Sequence, residues 1–320
     1  MSAEAMASKK ILLTGVTGQV GSELLQTLAP LGEIAAPKRD QLDLADTAND
    51  FRALRETIRS LQPRWIVNPA AYTAVDKAES EPDLAYAINR DAVRALGEEA
   101  QRIGASVIHY STDYVFSDTG TTPYQEDDPT DPVSVYGASK LAGERALAAT
   151  GAPHFIFRTS WVYGATGKNF LRTILKYARE RDTLRIVADQ YGAPTWSRDL
   201  ARMTAAVIER SEASARGGSL PAAFRRLSGV YHAAGSGETT WHGFASEAVR
   251  LERERDPAVH FATIEPITTA EYPTPARRPE NSRLNCTKLK ETFSWTMPDW
   301  RDSLGRVLQE LHLATSESHF

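Results

Sequence analysis

The sequence predicts an α/β protein, with a Rossmann-type, doubly wound parallel sheet followed by a smaller α/β lobe. Three observations point to this class. Short apolar runs alternate with helical segments through the first half of the chain, as in parallel sheets with helices on both faces. The first apolar run leads directly into a glycine-rich turn and then a helix. After about residue 165 the alternation breaks down and prolines accumulate.

The elements of the first half follow from apolar spacing. Buried apolar runs predict strands at residues 9–14, 33–37, 65–68, 106–111 and 154–159. Helical spacing between them predicts helices over residues 19–28, 46–60, 84–103 and 134–149. Because the carboxyl ends of parallel strands share one edge of the sheet, we expect the ligand site at that edge.

The second half has sparser regular structure. Its spacing predicts a helix over residues 169–180, a strand at 184–188 and a helix over 198–209. We therefore divide the chain into a dinucleotide-binding domain, residues 1–165, and a substrate-binding lobe, residues 166–320. Residues 1–8 are expected to be disordered, and segments of the lobe can interleave with the first domain.

Composition narrows the possible functions. The 320 residues carry a formal net charge of −4, whereas nucleic-acid binding usually shows as a basic excess. No apolar run reaches the length of a membrane span, so we expect neither a nucleic acid nor a membrane as a partner. Cys286 is the single cysteine, which suits the cytoplasm, and no spacing of His, Cys or carboxylates indicates a metal site.

The glycine-rich turn places Gly15, Gly18 and Gly21 between the first strand and the first helix. Glycines permit a tight turn and a close approach of phosphate, and the helix N-terminus faces the anion. A glycine triplet also occurs in plain turns, but this position favours a dinucleotide site.

The end of the second strand is expected to select the cofactor. An acid there favours the free ribose of NADH, whereas a base accommodates the 2′-phosphate of NADPH. Lys38 and Arg39 favour NADPH, while Asp40 and Asp43 leave room for NADH. We therefore expect NADPH to be preferred and NADH also to be accepted, with a solvated charged loop as the alternative interpretation.

Tyr136 and Lys140 lie one turn apart on one face of a predicted helix. A nearby ammonium is expected to lower the pKa of the phenol, and the phenol can protonate an oxygen that receives a hydride. Thr112, at the end of a strand, can donate to the same oxygen or merely satisfy local backbone. A Tyr-x-x-x-Lys pair is common on surface helices, but this position after Thr112 favours catalysis.

Two further segments keep alternative interpretations. Ala70 and Ala71 follow a predicted strand end and are small enough for a cofactor to pass close to the chain. Asn89 lies inside a predicted helix, where an amide is disfavoured unless it binds something, so a structural and a catalytic role both stay open.

These motifs together resemble a known family. The glycine triplet and residues 111–116 and 136–140 resemble the extended short-chain dehydrogenase/reductases. Residues 74–79, 157–163, 189–195 and 273–285 narrow the resemblance to the dTDP-4-dehydrorhamnose reductases, over nearly the whole chain. The resemblance implies reduction of the C4 keto group of dTDP-4-dehydro-β-L-rhamnose with NADPH or NADH, the last step to dTDP-L-rhamnose.

The resemblance also implies roles for individual residues. Tyr136 would donate the proton, Lys140 would hold the nicotinamide ribose, and Thr112 would bind the C4 oxygen. The other cofactor residues would be Gln19, Val20, Asp43, Leu44, Ala70, Ala71 and Thr73. Those facing the sugar would be Thr112, Asp113, Trp161 and Val75, and candidates for the diphosphate are Asn169, Arg277, Arg278 and Arg283.

One position departs from the family pattern. Some members are described as homodimers bridged by magnesium through glutamates, and Glu23 fits one such position. Arg198 stands where another acid is expected. This departure counts against a metal-bridged dimer, while a homodimer and a magnesium ion both stay open as interpretations.

Two other functions fit the same fold. One is a catalytically silent regulatory subunit that binds a dinucleotide and resembles the methionine adenosyltransferase β subunit, although the chain keeps Thr112, Tyr136 and Lys140. The other is a sugar-nucleotide epimerase, which recycles its NAD and often retains it.

Overall fold

The computed structural model describes residues 9–117, 119–214 and 220–317, so the disorder predicted for residues 1–8 lies outside the described residues. The first half of the chain forms β1 (Lys10–Leu13), α1 (Gln19–Leu28), β2 (Glu33–Ala35), α2 (Arg52–Leu61), β3 (Trp65–Asn68), α3 (Val75–Ala78), α4 (Pro82–Tyr86), a π-helical turn (Ala87–Asp91), α5 (Ala92–Ile103), β4 (Ser106–Thr112), α6 (Val135–Ala149) and β5 (His154–Thr159). Short 3₁₀ turns follow α1 and β4.

The second half begins with two short strands flanking a helix and ends on a long helix. Its elements are β6 (Val162–Tyr163), α7 (Phe170–Glu180), β7 (Thr183–Val187), β8 (Tyr191–Gly192), β9 (Thr195–Trp196), α8 (Ser197–Ser214), α9 (Leu220–Leu227), β10 (Gly229–His232), β11 (Thr239–Thr240), α10 (Trp241–Arg255), β12 (Thr263–Ile267), α11 (Thr287–Phe293) and α12 (Trp300–Glu317). Among the described residues, no helix combines the length and apolarity needed to cross a bilayer.

The main sheet has the strand order β10-β5-β4-β3-β1-β2, and each of these pairs is parallel. The predicted α/β class with a Rossmann-type parallel sheet is therefore confirmed. The sixth strand, β10, was not predicted, and it comes from the chain beyond residue 165. The later chain thus completes the sheet of the earlier one, while the division at residue 165 stays a prediction.

Two apolar cores cover the two faces of this sheet. Along β1, Ile11 and Leu13 face a core shared with α1 and α8, whereas Leu12 faces a core shared with α2 and α5. This alternation follows from the two-residue period of a strand. A further apolar cluster around Phe244 and Trp300 joins α10 and α12 in the second half. Because both faces are covered, the carboxyl edge of the sheet is left to form a site.

The helix predicted over residues 198–209 extends to Ser214 as α8, and two helices of the first half depart from their predictions. The helix predicted from residue 46 begins at Arg52, because Phe51 adopts a left-handed φ of 53° and donates its N–H to the Asp46 carbonyl at 2.9 Å. The helix predicted over residues 84–103 contains the π-helical turn at Ala87–Asp91. Helix α6 packs against this turn so closely that a Cβ on Gly143 would lie 1.9 Å from the Asn89 carbonyl oxygen.

This close packing generates a stability prediction. We expect Gly143→Ala to lower the free energy of unfolding by about 1–3 kcal/mol, because the added methyl must displace backbone. Gly305→Ala is the matched control, since Gly305 lies inside α12 with nothing within 4 Å of an added Cβ. It should raise the free energy of unfolding by about 0.5–1 kcal/mol. Urea unfolding measures both, and equal stabilities of the two variants would contradict the packing described for α6.

Candidate active site

A cavity of about 630 Å³ opens at the carboxyl edge of the main sheet. It brings together the turn after β1, the ends of β3 and β4, the start of α6 and the residues after β5. The predicted cofactor and catalytic residues that line it are Gly15, Gly18, Gln19, Val20, Gly21, Arg39, Asp43, Leu44, Ala70, Ala71, Thr73, Thr112, Tyr136 and Lys140. Three of the residues predicted to face the sugar also line it: Val75, Asp113 and Trp161.

The glycine turn forms a cradle that side chains would fill. Gly15 has a left-handed φ of 61°, and a Cβ there would lie 2.8 Å from Cα of Ala70. A Cβ on Gly21 would lie 2.1 Å from the Gly15 carbonyl oxygen. Gly18 is the N-cap of α1 and offers no side-chain acceptor to the first N–H groups of the helix. These features fit a dinucleotide pyrophosphate held against backbone at a helix N-terminus.

Tyr136 lies in the first turn of α6, where local structure fixes its direction. Ser134 caps the helix by accepting a hydrogen bond from the Gly137 N–H at 3.2 Å. The ring of Tyr114 contacts the Tyr136 ring edge to face, with 5.5 Å between centroids. Thr112 shares a hydrogen bond with the phenol and donates another to Asp113 Oδ1 at 3.0 Å. The tyrosine and threonine hydroxyls therefore converge on one point of the cavity.

Burial raises the pKa of Tyr136 to about 12, although the hydrogen bond with Thr112 acts in the opposite direction. The lowering of this pKa expected from the sequence is therefore wrong for the protein alone. The ammonium of Lys140 is directed elsewhere, since Nζ donates to the Tyr110 carbonyl at 2.5 Å and lies 3.2 Å from His109 Nε2. A raised pKa keeps the phenol protonated near neutral pH, which is the form that can donate a proton.

Lys140 and Asp113 are both buried at this edge, and burial dominates the pKa of each. Desolvation lowers the pKa of Lys140 to about 7, opposed by the carboxylate of Glu144. Desolvation raises the pKa of Asp113 to about 6, opposed by hydrogen bonds from hydroxyls that include Thr112. Each group therefore changes charge near neutral pH, where its unperturbed counterpart would not.

The residues predicted to bind the diphosphate lie outside the cavity lining. Asn169 caps α7 and donates to Gln19 Oε1 at 3.0 Å. It therefore contacts the residue that follows the glycine-rich turn. Arg278 pairs with Asp76 at 2.7 Å, Arg283 pairs with Glu238 at 3.0 Å, and Arg277 is exposed. Their binding of substrate stays a prediction.

Several residues that line the cavity were missed by sequence reasoning, among them Trp241 and Lys168. Trp241 stacks on Trp161 with 3.7 Å between ring centroids and 14° between planes, and Lys168 lines the cavity next to the cofactor turn. Trp161 adopts a left-handed φ of 48°, which turns its ring toward this contact. No local spacing relates residues 161 and 241, so only the folded chain could reveal the pair. Lys168 follows Gly167, which has a left-handed φ of 71°.

Asn89 serves the structure of the π-helical turn. Its Oδ1 accepts from the Tyr72 N–H at 2.9 Å, and its Nδ2 donates to the Tyr72 carbonyl and to Ser139 Oγ. Asn89 is fully buried and ties the segment after β3 to helix α6. Of the two roles left open, these contacts supply the structural one.

Arg198, which departs from the family pattern, forms ion pairs with two carboxylates. Its Nε donates to Glu23 Oε2 at 2.8 Å, and its Nη1 pairs with Glu310. The guanidinium thus supplies positive charge between two acids. Among the described residues, no group of three or more His, Cys, Asp and Glu side chains could hold a metal ion.

Comparisons with known proteins identify relatives over nearly the full chain. Residues 9–313 match the family model described as the RmlD substrate binding domain. A dTDP-4-dehydrorhamnose reductase of Burkholderia thailandensis is 46% identical over 304 residues, covering 94% of this chain and 99% of the relative. The crystal structure of a dTDP-4-dehydrorhamnose reductase from Clostridium acetobutylicum superimposes with a TM-score of 0.84 at 34% identity, covering 95% of this chain and 99% of that chain.

A second solved structure of a relative contains a bound cofactor. The dTDP-4-dehydrorhamnose reductase of Bacillus anthracis, in complex with NADP, matches with a TM-score of 0.82 at 31% identity. The match covers 95% of this chain and 99% of that chain.

The burial of Asp113 generates a pH prediction. Its folded pKa of about 6 exceeds the ordinary value of 3.8, so the wild-type protein loses stability as pH rises toward and through 6. Asp113→Asn lacks this loss, and its stability relative to wild type should increase by about 1 kcal/mol between pH 5 and pH 8. Urea unfolding at both pH values measures the difference, with exposed Asp256→Asn as control. A difference that is constant with pH would contradict the raised pKa.

Proposed function

The chain belongs to the dTDP-4-dehydrorhamnose reductase family, and we propose that it reduces the C4 keto group of dTDP-4-dehydro-β-L-rhamnose to give dTDP-β-L-rhamnose. It is an NAD(P)H-dependent oxidoreductase of the extended short-chain dehydrogenase/reductase type. The observation that carries the proposal is one cavity that contains the glycine cradle, Thr112, Tyr136 and Lys140 together.

In the proposed reaction, the cofactor transfers a hydride and an acid of the cavity donates a proton. Bound NADPH supplies the hydride that converts the C4 carbonyl into an alkoxide. Tyr136, protonated because burial raises its pKa, donates the proton that completes the alcohol. The single O–H of Thr112, which donates to Asp113 Oδ1 in the protein alone, turns to the same oxygen from the strand side, so two hydroxyls orient the carbonyl before hydride transfer.

The other cavity residues hold the two ligands in place. The cradle at Gly15, Gly18 and Gly21 fits the pyrophosphate. Two of the three N–H donors of Lys140 point to Tyr110 and His109, and the third is available to a hydroxyl of the nicotinamide ribose. The sugar lies against Trp161, which Trp241 supports from behind by stacking. Asp113, next to Thr112 in the chain, accepts a hydrogen bond from a hydroxyl of the sugar when its carboxylate is ionised. Orientation by these contacts is the main contribution of the protein.

The preference for NADPH rests on a weak local charge. Arg39 lies beside the adenosine end of the cavity, and its Nε is 3.7 Å from Asp43 Oδ1. Both side chains are exposed, so water and the neighbouring acid reduce the attraction of Arg39 for a 2′-phosphate. The preference for NADPH over NADH should therefore be modest.

The setting of the reaction is also part of the proposal. The single cysteine and the nucleotide-sugar substrate support a cytoplasmic enzyme. Membership of the family supports a homodimer, for which sedimentation velocity is the direct measurement.

The direct test is oxidation of NADPH by the purified protein in the presence of keto sugar generated in situ from dTDP-glucose. Stoichiometric oxidation with formation of dTDP-rhamnose is the expected result. Sugar interconversion without net oxidation of NADPH, by protein purified with NAD bound, would instead identify an epimerase. Binding of NADPH without any turnover would identify a regulatory subunit.

The role of Tyr136 leads to a kinetic prediction. Tyr136→Phe removes the acid and keeps the ring contact with Tyr114, so kcat should fall by about 10²- to 10⁴-fold while NADPH affinity stays nearly unchanged. Tyr177→Phe, a partly buried tyrosine of α7 outside the cavity lining, is the matched control and should keep wild-type kcat. A Tyr136→Phe enzyme with more than about half of the wild-type kcat would show that another group donates the proton.

The role of Arg39 leads to a prediction on specificity. Arg39→Ala should raise the KM for NADPH several-fold, about the effect of one exposed charge-assisted contact, and leave the KM for NADH almost unchanged. Arg52→Ala removes an exposed arginine at the start of α2, outside the cavity lining, and should change neither KM. If Arg39→Ala affects both cofactors equally, the arginine does not contact the 2′-phosphate.

A further inference from the structure

A row of buried polar side chains crosses the main sheet directly behind the cavity. Thr14 directly after β1, Asn68 at the end of β3 and His109 in the middle of β4 occupy matching positions across these adjacent strands. The N–H of Thr14 donates to the Val67 carbonyl, and Asn68 pairs in register with His109. Polar groups buried in a parallel sheet need partners, so the row requires an explanation.

The three side chains are joined by hydrogen bonds. Thr14 Oγ1 donates to Asn68 Oδ1 at 2.5 Å, and Asn68 Nδ2 lies 3.1 Å from His109 Nδ1. His109 is fully buried, and its second ring nitrogen, Nε2, lies 3.2 Å from Nζ of Lys140. The row therefore ends on the lysine that lines the cofactor cavity. The row of polar side chains thus contacts the reaction site through Lys140.

The contacts of His109 with Asn68 and Lys140 couple the position of the proton on its ring to the protonation of Lys140. Burial and the neighbouring Lys140 lower the pKa of His109 well below its usual value, so the ring is neutral and carries one N–H. When Lys140 is an ammonium that donates to Nε2, Nδ1 carries the hydrogen and needs the oxygen of Asn68. The Asn68 amide is then rotated by half a turn from the orientation above, and its nitrogen donates to Thr14 Oγ1. When Lys140 is a neutral amine, Nε2 can donate to it, and Nδ1 then accepts from the Asn68 amide nitrogen. The protonation of Lys140, the tautomer of His109 and the orientation of Asn68 are therefore coupled.

We propose that His109 is a positioning residue for Lys140: it fixes Nζ toward the sheet and stabilises the ammonium by accepting its hydrogen bond. This proposal rests on the proposed function, because Lys140 matters through the cofactor it holds. The charged lysine is the form that donates to ribose hydroxyls and attracts the anionic cofactor. His109 thus sets the pH range in which the cavity binds NADPH tightly.

The ionisable groups around the pair are few and identifiable. Glu144, one turn beyond Lys140 on α6, raises the lysine pKa, and it is itself paired with Arg158 of β5 at 2.7 Å. Tyr136 and Asp113 face the cavity side of Lys140, and the Tyr110 carbonyl accepts from Nζ. These groups are common to all the variants below, so differences between variants report on His109.

Two substitutions of His109 separate positioning from simple packing. The amide of His109→Gln can place an acceptor where Nε2 stands, whereas the shorter His109→Asn can satisfy Asn68 but cannot reach Lys140. The dissociation constant of NADPH is measured by fluorescence against pH for both variants and wild type, beside kcat with the keto sugar. NADPH affinity should decrease as pH rises through the pKa of Lys140.

The expected result is a shift of this titration in one variant. His109→Asn should move its midpoint down by about one pH unit, because the ammonium loses a hydrogen bond. His109→Gln should retain the wild-type midpoint. Equal midpoints in both variants and wild type, or affinities lowered equally at every pH, would overturn the proposal and leave His109 as a packing residue.

A double-mutant cycle tests whether His109 acts through Lys140. In a Lys140→Met background, His109→Asn should change NADPH affinity less than about twofold at any pH. A full effect of His109→Asn in that background would contradict the proposal. Because NADPH binding is measured without sugar, these results stand apart from the test of sugar reduction itself. Failure to reduce the sugar would overturn the proposed function and leave the binding titration interpretable.

A substitution at Asn68 should shift the titration in the opposite direction. In Asn68→Asp, the carboxylate accepts from Thr14 Oγ1 and from Nδ1–H of His109, which keeps Nε2 an acceptor for the Lys140 ammonium. The midpoint of the NADPH titration should therefore move up. A folded Asn68→Asp protein with a lowered midpoint would contradict the coupling.

Discussion

The parallel register of the main sheet determines where the chemistry takes place. Because β1, β3 and β4 run in one direction and pair in register, their carboxyl ends place Thr14, Asn68 and Thr112 at a single edge. The glycine turn, the start of α6 and the segment after β5 reach the same edge. The two apolar cores hold the sheet from both faces and so fix the distances between these groups.

Burial at this edge sets the protonation states of the site. Desolvation raises the pKa of Tyr136 and Asp113 and lowers the pKa of Lys140. A reductase needs a protonated acid at its resting state, and the desolvated phenol meets that need without a cation beside it. The polar row through His109 provides the lysine with partners inside the sheet, which compensates part of its desolvation.

Much of the fold and site could be predicted because their signals are local. Alternating apolar runs predicted five of the six strands of the main sheet, and glycine spacing after β1 predicted the turn that lines the cavity. The strand β10, the Trp161–Trp241 stack and the contact between His109 and Lys140 join distant segments, which local spacing does not specify. The pKa of Tyr136 was predicted in the wrong direction for a related reason. Spacing placed Lys140 on the same helix face but could not show that its ammonium is directed into the sheet.

The central claim is that the cavity at the sheet edge transfers a hydride from NADPH to the sugar carbonyl. The most direct measurement uses NADPH labelled with deuterium at the transferred position of nicotinamide C4, with NMR analysis of the sugar product. The account predicts one deuterium bound to C4 of dTDP-rhamnose for each NADPH oxidised. Deuterium that stays in the cofactor, or a product labelled at another carbon, would contradict it.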